Sequence, residues 1–156
     1  MRKQSRVAVL VVGIALSMGA WAQDAGRPEP AADVSSTDYA GMADLQQQMS
    51  SGKLDSQQLV RDFIRRIDTL DQAGPRVNSV IEIKPDALSI AKQRDTNRSK
   101  GKRGSLWGIP VLLKANIDTG DKMPTTAGSL ALLGAPAPRD ATVAAKLRKA
   151  GAVILG

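Results

Sequence analysis

An α/β fold with a partly parallel sheet is what this sequence predicts, and three features of its C-terminal third carry the prediction. Ile109 to Ile117 is an apolar run holding one Lys, the composition of a strand buried on both faces. Asp140, then Ala141 to Ala150 with Val143, Ala144 and Leu147 on one face, then Gly151, reads as a helix with a cap and a stop. Ala152 to Leu155 is a second buried-type strand. Strand, helix and strand in that order make a right-handed crossover between parallel neighbours.

The earlier elements follow from local pattern. Residues 23–37 are rich in Pro and Ala without periodicity and read as a flexible linker. Asp38 can cap a short helix from Tyr39 to Met49 that ends near Gly52. Asp55 or Ser56 starts a second helix. Its positions Leu59, Val60, Phe63, Ile64, Ile67 and Leu70 share one face, with Arg61, Asp62, Arg65, Arg66 and Asp68 pointing outward. Gly74-Pro75 stops it. Val77 to Ile83 alternates and is β-branched, which predicts a short strand. Pro85 and Asp86 open a polar helix to about Ser99, and SKGKRGS is a surface loop. Residues 118–139 are loop-rich, with a short helical turn at Ser129 to Leu133.

The N-terminus has the three parts of a secretory signal over residues 1–22. Arg2, Lys3 and Arg6 are the basic region, Val7 to Leu16 the apolar region, and Ala20-Trp21-Ala22 an A-x-A site with cleavage expected before Gln23. The apolar run is shorter than the ~20 residues that span a bilayer, so a cleaved signal is expected and no stable membrane anchor. Neither a twin-Arg pair nor a Cys for lipidation follows, which points to the general secretory route and a periplasmic or secreted product. Residues 38–156 then form the folded body.

Charge and composition exclude several classes of function. Taking the three leader residues from the 22 basic ones leaves 19 against 15 acidic, about +4 for the mature chain, an ordinary solubility charge. With two Trp, one Tyr and one Phe there are few rings on which to stack bases, so no nucleic acid is expected as a partner. The basic stretch from Arg94 to Arg103 reads as a solvated helix end and loop. The chain has no His and no Cys. That removes a Ser-His-Asp triad, a thiol nucleophile, disulfides, and imidazole or thiolate metal ligands. Without a spaced acidic loop or a glycine-rich phosphate fingerprint, no metal and no cofactor is expected. Nucleophilic chemistry on such a chain needs Ser or Thr with a Lys or carboxylate base.

Lys114 is the residue that stands out, because a charged amine among Val, Leu and Ile is costly unless it is paired, neutral, or at a strand end facing a cleft. Two readings stand on pattern alone. Lys114 is a strand-end lysine that snorkels to water, or it is a general base, since desolvation favours a neutral amine. Met123 to Ser129 is dense in hydroxyls and glycine; it either lines a polar cleft or supplies turn and cap chemistry.

Several motifs in order resemble a known family. Leu106-Trp107-Gly108-Ile109-Pro110-Val111-Leu112-Leu113-Lys114 with Asn116-Ile117-Asp118, then Pro124 to Leu132, Pro138-Arg139-Asp140-Ala141, and Leu147 to Gly156 are similar to the lysine region of the amidase signature family. The helix around Gln57 to Val60 and the stretch Asn78 to Glu82 fit the same family, and the leader with residues 68–88 resembles its secreted peptide-amidase branch. The resemblance covers about residues 39–156. It implies the N-terminal part of an α/β/α fold around a mixed, partly parallel sheet. It also implies hydrolysis of linear amide C–N bonds by a serine nucleophile, a second serine on a cis peptide, and a lysine. Lys114 matches that lysine, the base that draws a proton through the bridging serine; a glycine-rich segment near the nucleophile would hold the oxyanion.

Both serines and the glycine-rich segment follow the Gly-Ala-Val-Ile-Leu-Gly strand in such enzymes, and this sequence stops at that strand. Ser129 matches a loop position and not a catalytic one. Ala115 stands where relatives usually have Asp, and Trp107, near the cleft, where many have His. The expectation is a truncated amidase domain, inactive alone, whose substrate would be a small-molecule or peptide amide once the remainder is supplied. A downstream amidase fragment is then an expected partner. The alternatives are a non-catalytic binding module and one part of a split amidase.

Overall fold

The computed structural model describes Thr37 and residues 39–156, apart from residues 102 and 135; the predicted leader, the linker up to residue 36 and the predicted cap Asp38 lie outside the described residues. Thr37, the last linker position, is buried, and its carbonyl accepts the Ala40 N–H. Helix α1 (Met42–Ser50) therefore starts later than Tyr39. Gly41 is its N-cap, and the Asp44 carboxylate accepts the Gly41 N–H at 3.2 Å.

Helix α2 (Ser56–Arg66) starts where the sequence places it, and long-range contacts complete its cap. Asp55 accepts the Gln58 N–H at 2.6 Å. Asp95, far along the chain, accepts those of Ser56 at 2.7 Å and Gln57 at 3.0 Å. Three N–H groups that a helix start leaves free are thereby satisfied. The Ser56 hydroxyl donates to the Gly108 carbonyl at 2.7 Å. The helix continues as a π-helical turn, Ile67–Ala73, up to Gly74. Widening to i→i+5 bonds rotates the face, so Leu70 is exposed although the 3.6-residue period puts it with Leu59 and Ile67.

Val77 to Ile83 is not a strand. Arg76 and Asn78 have φ of 57° and 51°, incompatible with a ladder, and the local donors go to Asp71 instead. The Asn78 N–H bonds the Asp71 carbonyl, and the N–H groups of Ser79 and Val80 bond its carboxylate at 2.8 and 3.1 Å. The segment rejoins the sheet at Lys84, whose N–H donates to the Leu155 carbonyl at 2.8 Å. Helix α3 (Ala87–Thr96) follows, shorter than predicted, and turns carry the chain to Ser99.

Strand β1 (Pro110–Val111) lies parallel to β2 (Val153–Ile154), with Pro110 opposite Val153 and Val111 opposite Ile154. The predicted strand Ile109–Ile117 is cut short because its ladder ends at the Leu113 N–H to Gly156 carbonyl bond. A turn follows, closed by the Ile117 N–H on the Lys114 carbonyl. Helix α4 (Thr142–Lys149) bridges the strands as predicted, without the predicted cap. Asp140 is taken up elsewhere, by the Gly120 N–H and Arg148, so Ala141 is the N-cap. Of the predicted inner face, Ala144 is buried and Val143 is exposed. Gly151, at φ 92°, ends α4. Its N–H returns to Arg148 and that of Ala152 to Leu147, the pair of bonds that closes a helix through a left-handed residue.

Two apolar clusters form the core. Val60, Ile67, Ala87, Ala91, Val153 and Leu155 make one, and Leu45, Met49, Leu59 and Ile109 the other. Phe63 borders both. Among the described residues, no helix is long and apolar enough to cross a membrane.

Candidate active site

The parallel pair aims the chain after Val111 at a cleft of about 730 Å³. One wall is Ser79 to Glu82, a second is Leu112 to Ile117, and a third runs from Met123 to Leu130. Lys114 sits on the second wall, one residue past the last ladder bond, in the turn closed by Ile117. It is exposed, and among the described residues its amine makes no ion pair and no hydrogen bond. The burial cost anticipated for a strand lysine is thus avoided by position at the strand end.

The hydroxyl-rich loop lines the cleft, as one of its two readings holds. Ala127 and Gly128 are consecutive left-handed residues, at φ 49° and 81°. For alanine that conformation is strained by about 1 kcal/mol or more, so its surroundings must hold it. The Ala127 N–H donates to the Ala115 carbonyl at 2.9 Å, the residue beside Lys114. Ala115 therefore ties the loop to the lysine turn through its backbone. The Ser129 N–H bonds the Thr126 carbonyl at 2.8 Å before a 3₁₀ turn, Leu130–Leu132, where the helical turn was predicted. Ser129 is on the cleft rim and exposed.

Trp107 is not on the cleft. Its indole N–H donates to the Arg94 carbonyl at 2.9 Å, and the Arg94 guanidinium lies 4.8 Å from the ring centroid. Arg98 donates to the Trp107 carbonyl at 3.3 Å. Two members of the predicted solvated basic stretch are therefore half-buried parts of the frame, and burial lowers the pKa of each from its ordinary value.

A charge cluster behind the cleft has little sequence signal. Lys84 is 3% exposed and pairs with Asp86, with Asp121 at 3.5 Å. Arg148 pairs with Asp121 and, at 3.0 Å, with Asp140. Burial works to raise the Asp121 carboxyl, but the Met123 N–H, Arg148, Lys84 and the Thr119 hydroxyl outweigh it and hold the carboxyl below its usual range. Asp86 is lowered chiefly by its hydrogen bond from Lys84. Lys84 stands at the end of an apolar alternation, and neither its burial nor its carboxylate partners are visible in that pattern. Among the described residues, no three carboxylates are grouped so as to hold a metal ion.

Chemically, the cleft offers one unpaired amine on a wall tied to a strained, hydroxyl-bearing loop. Comparison with known proteins gives this arrangement a lineage. The family model described as Amidase matches residues 58–156. This chain belongs to the amidase signature family. A Schizosaccharomyces pombe protein named as an amidase is 43% identical over 130 residues, 83% of this chain and 22% of the relative. The native peptide amidase of Stenotrophomonas maltophilia superposes with a TM-score of 0.71 at 50% identity, over 76% of this chain and 24% of that one. An amidase family protein of Bacillus anthracis gives 0.72 at 40% identity, over 76% and 23%. The chain thus spans under a quarter of the length of each of these amidases. The fold is the N-terminal part of the amidase α/β fold, with the parallel strand pair at the core of the matched region.

Proposed function

We propose that this amidase-family chain supplies the lysine base of a Ser-cisSer-Lys amide hydrolase, acting on carboxamide or peptide-amide bonds once a serine-bearing segment completes the cleft. The observation that carries the reading is Lys114 itself, in the family's matched stretch, unpaired and open to a cleft large enough for a peptide amide. In that reaction the Lys114 amine takes the proton of the bridging serine, which takes that of the nucleophile. The nucleophile adds to the amide carbonyl, the C–N bond breaks as the proton returns to the leaving amine, and a water activated by the same relay then releases the acyl group from the serine as the acid. On this reading the base lies in the quarter of the family's length that the chain matches and the serines lie outside it, and a base alone contributes little. The chain by itself is therefore expected to be inactive.

The test mixes the purified chain with the remainder of the Stenotrophomonas maltophilia peptide amidase, the part outside the matched 24%, and follows ammonia release from a peptide carboxamide. Activity should need both parts and fall by roughly 10³-fold or more with Lys114→Ala. Turnover by the chain alone, or a mixture indifferent to Lys114→Ala, refutes the reading.

We further propose that the chain is exported. The basic, apolar and A-x-A segments of residues 1–22 support this. The N-terminal sequence of protein recovered outside the cytoplasm of a Gram-negative expression host should begin at Gln23; an intact Met1 in that fraction counts against it.

A further inference from the structure

We infer that Asp121 is a positioning residue for Lys114, acting through the loop 119–127, which it anchors at one end while Ala127 grips the lysine turn at the other. The inference rests on reading Lys114 as the cleft's chemical group; its test does not. Asp121 accepts from the Thr119 hydroxyl at 3.1 Å and the Met123 N–H at 3.0 Å, so its carboxylate closes the start of the loop on itself. Arg148 then ties that carboxylate to helix α4, and its Nε donates to Asp140, whose other oxygen takes the Gly120 N–H at 2.8 Å. One guanidinium thus holds two carboxylates that bind the loop backbone or its immediate side chains.

From the opposite wall comes Lys84, which follows the Ser79 to Glu82 segment and donates its N–H to the Leu155 carbonyl, one residue past β2. Its buried ammonium reaches the same Asp121. The first and third walls are therefore fastened to each other behind the cleft. Between the two fastenings, Met123 and Thr126 are buried and carry the constraint along the loop. At the far end the Ala127 N–H meets the Ala115 carbonyl, and the left-handed Ala127 persists only while both ends are held. Removing the Asp121 charge leaves two half-paired cations, one fully buried, and this is where such networks fail.

The experiment uses the purified 156-residue chain and two readouts: deuterium exchange at the Ala127 amide, and acylation of Lys114 by an acetyl succinimidyl ester relative to exposed Lys53. In Asp121→Asn, Ala127 should exchange at least roughly tenfold faster and the Lys114 to Lys53 ratio should change by about twofold or more, with Val60 and Ala91 amides as protected as before. Asp121→Glu, which returns the carboxylate, should recover part of both. A folded Asp121→Asn with unchanged Ala127 exchange and labelling ratio overturns the inference. So does protection lost evenly across α2 and α3, which is what a merely structural residue gives. Should Asp121→Asn not fold, Arg148→Lys decides on the same readouts, since it keeps the charge and gives up the fork. Neither readout involves amide turnover, so this inference and the amide-hydrolase reading can fail separately.

Discussion

Two regions of this molecule solve the same problem in opposite ways. Around α2, α3 and β2 lie the most deeply buried apolar side chains: Leu59, Val60, Ala91 and Val153 are all 0% exposed, with Leu88 of α3 left at 40%. Along the cleft the apolar side chains stay in water, with Leu112 at 46%, Leu133 at 57%, Ile81 at 68% and Leu130 at 83%. The first region is held by burial, and the second by charges and backbone bonds through Asp71, Asp121 and Asp140. The lesson is that the chemical face of this chain is shaped by directional bonds, while its stability comes from the helical side.

The largest effect should therefore follow from damage to the helical side. Leu59→Ala opens a hole between α1, α2 and Ile109 and should cost about 2–5 kcal/mol, read as a lower urea midpoint. A cost below about 1 kcal/mol would mean that the helical side is not the stable part. The comparison is sharpened by acid. Asp121 and Asp86 are held below their ordinary values in the folded chain, so the unfolded chain binds protons first as pH falls. Their contribution is complete above the unfolded carboxyl value of about 3.9 and disappears as pH drops through the lower folded values. The urea midpoint should accordingly hold level from neutral pH to about 5 and fall below about 4. Protection at Ala127 should decline before protection at Val60. Simultaneous loss at both positions would show that the cleft has no separate dependence on charge.

The same contrast explains what could be read in the sequence. Elements held by burial were legible, because burial writes a period. The α2 face, the α4 crossover and the parallel β1–β2 pair follow from spacing and composition. Lys114 was legible as a charge in an apolar run, but its place at a strand end on a cleft was not, because the run continues to Ile117 while the ladder ends at Leu113. Elements held by long-range directional bonds were not. Val77 to Ile83 has a strand's alternation, but Asp71 takes its donors and two left-handed residues break the ladder. Asp140 has a cap's position, but Arg148 and Gly120 claim it. Lys84 looks like a strand's polar end and is the buried centre of a charge cluster. A side chain spent on a distant partner leaves no period behind.

The smallest effect on stability should come from the cleft face, and it separates the two regions most cleanly. Leu130→Ser and Ile81→Ser each trade an exposed apolar side chain for a hydroxyl. Because little area is buried at either position, each should move stability by no more than about 0.5 kcal/mol. The same changes remove apolar surface that a dye such as ANS can reach, so dye fluorescence should drop in the single variants and further in the double. A destabilisation near that of Leu59→Ala would mean that these leucine and isoleucine side chains are packed in solution. The cleft would then be closed by burial like the helical side, and the contrast between the regions would be lost. Unchanged stability with reduced dye binding instead marks Ile81 and Leu130 as surface held open on the walls of the cleft that Lys114 lines.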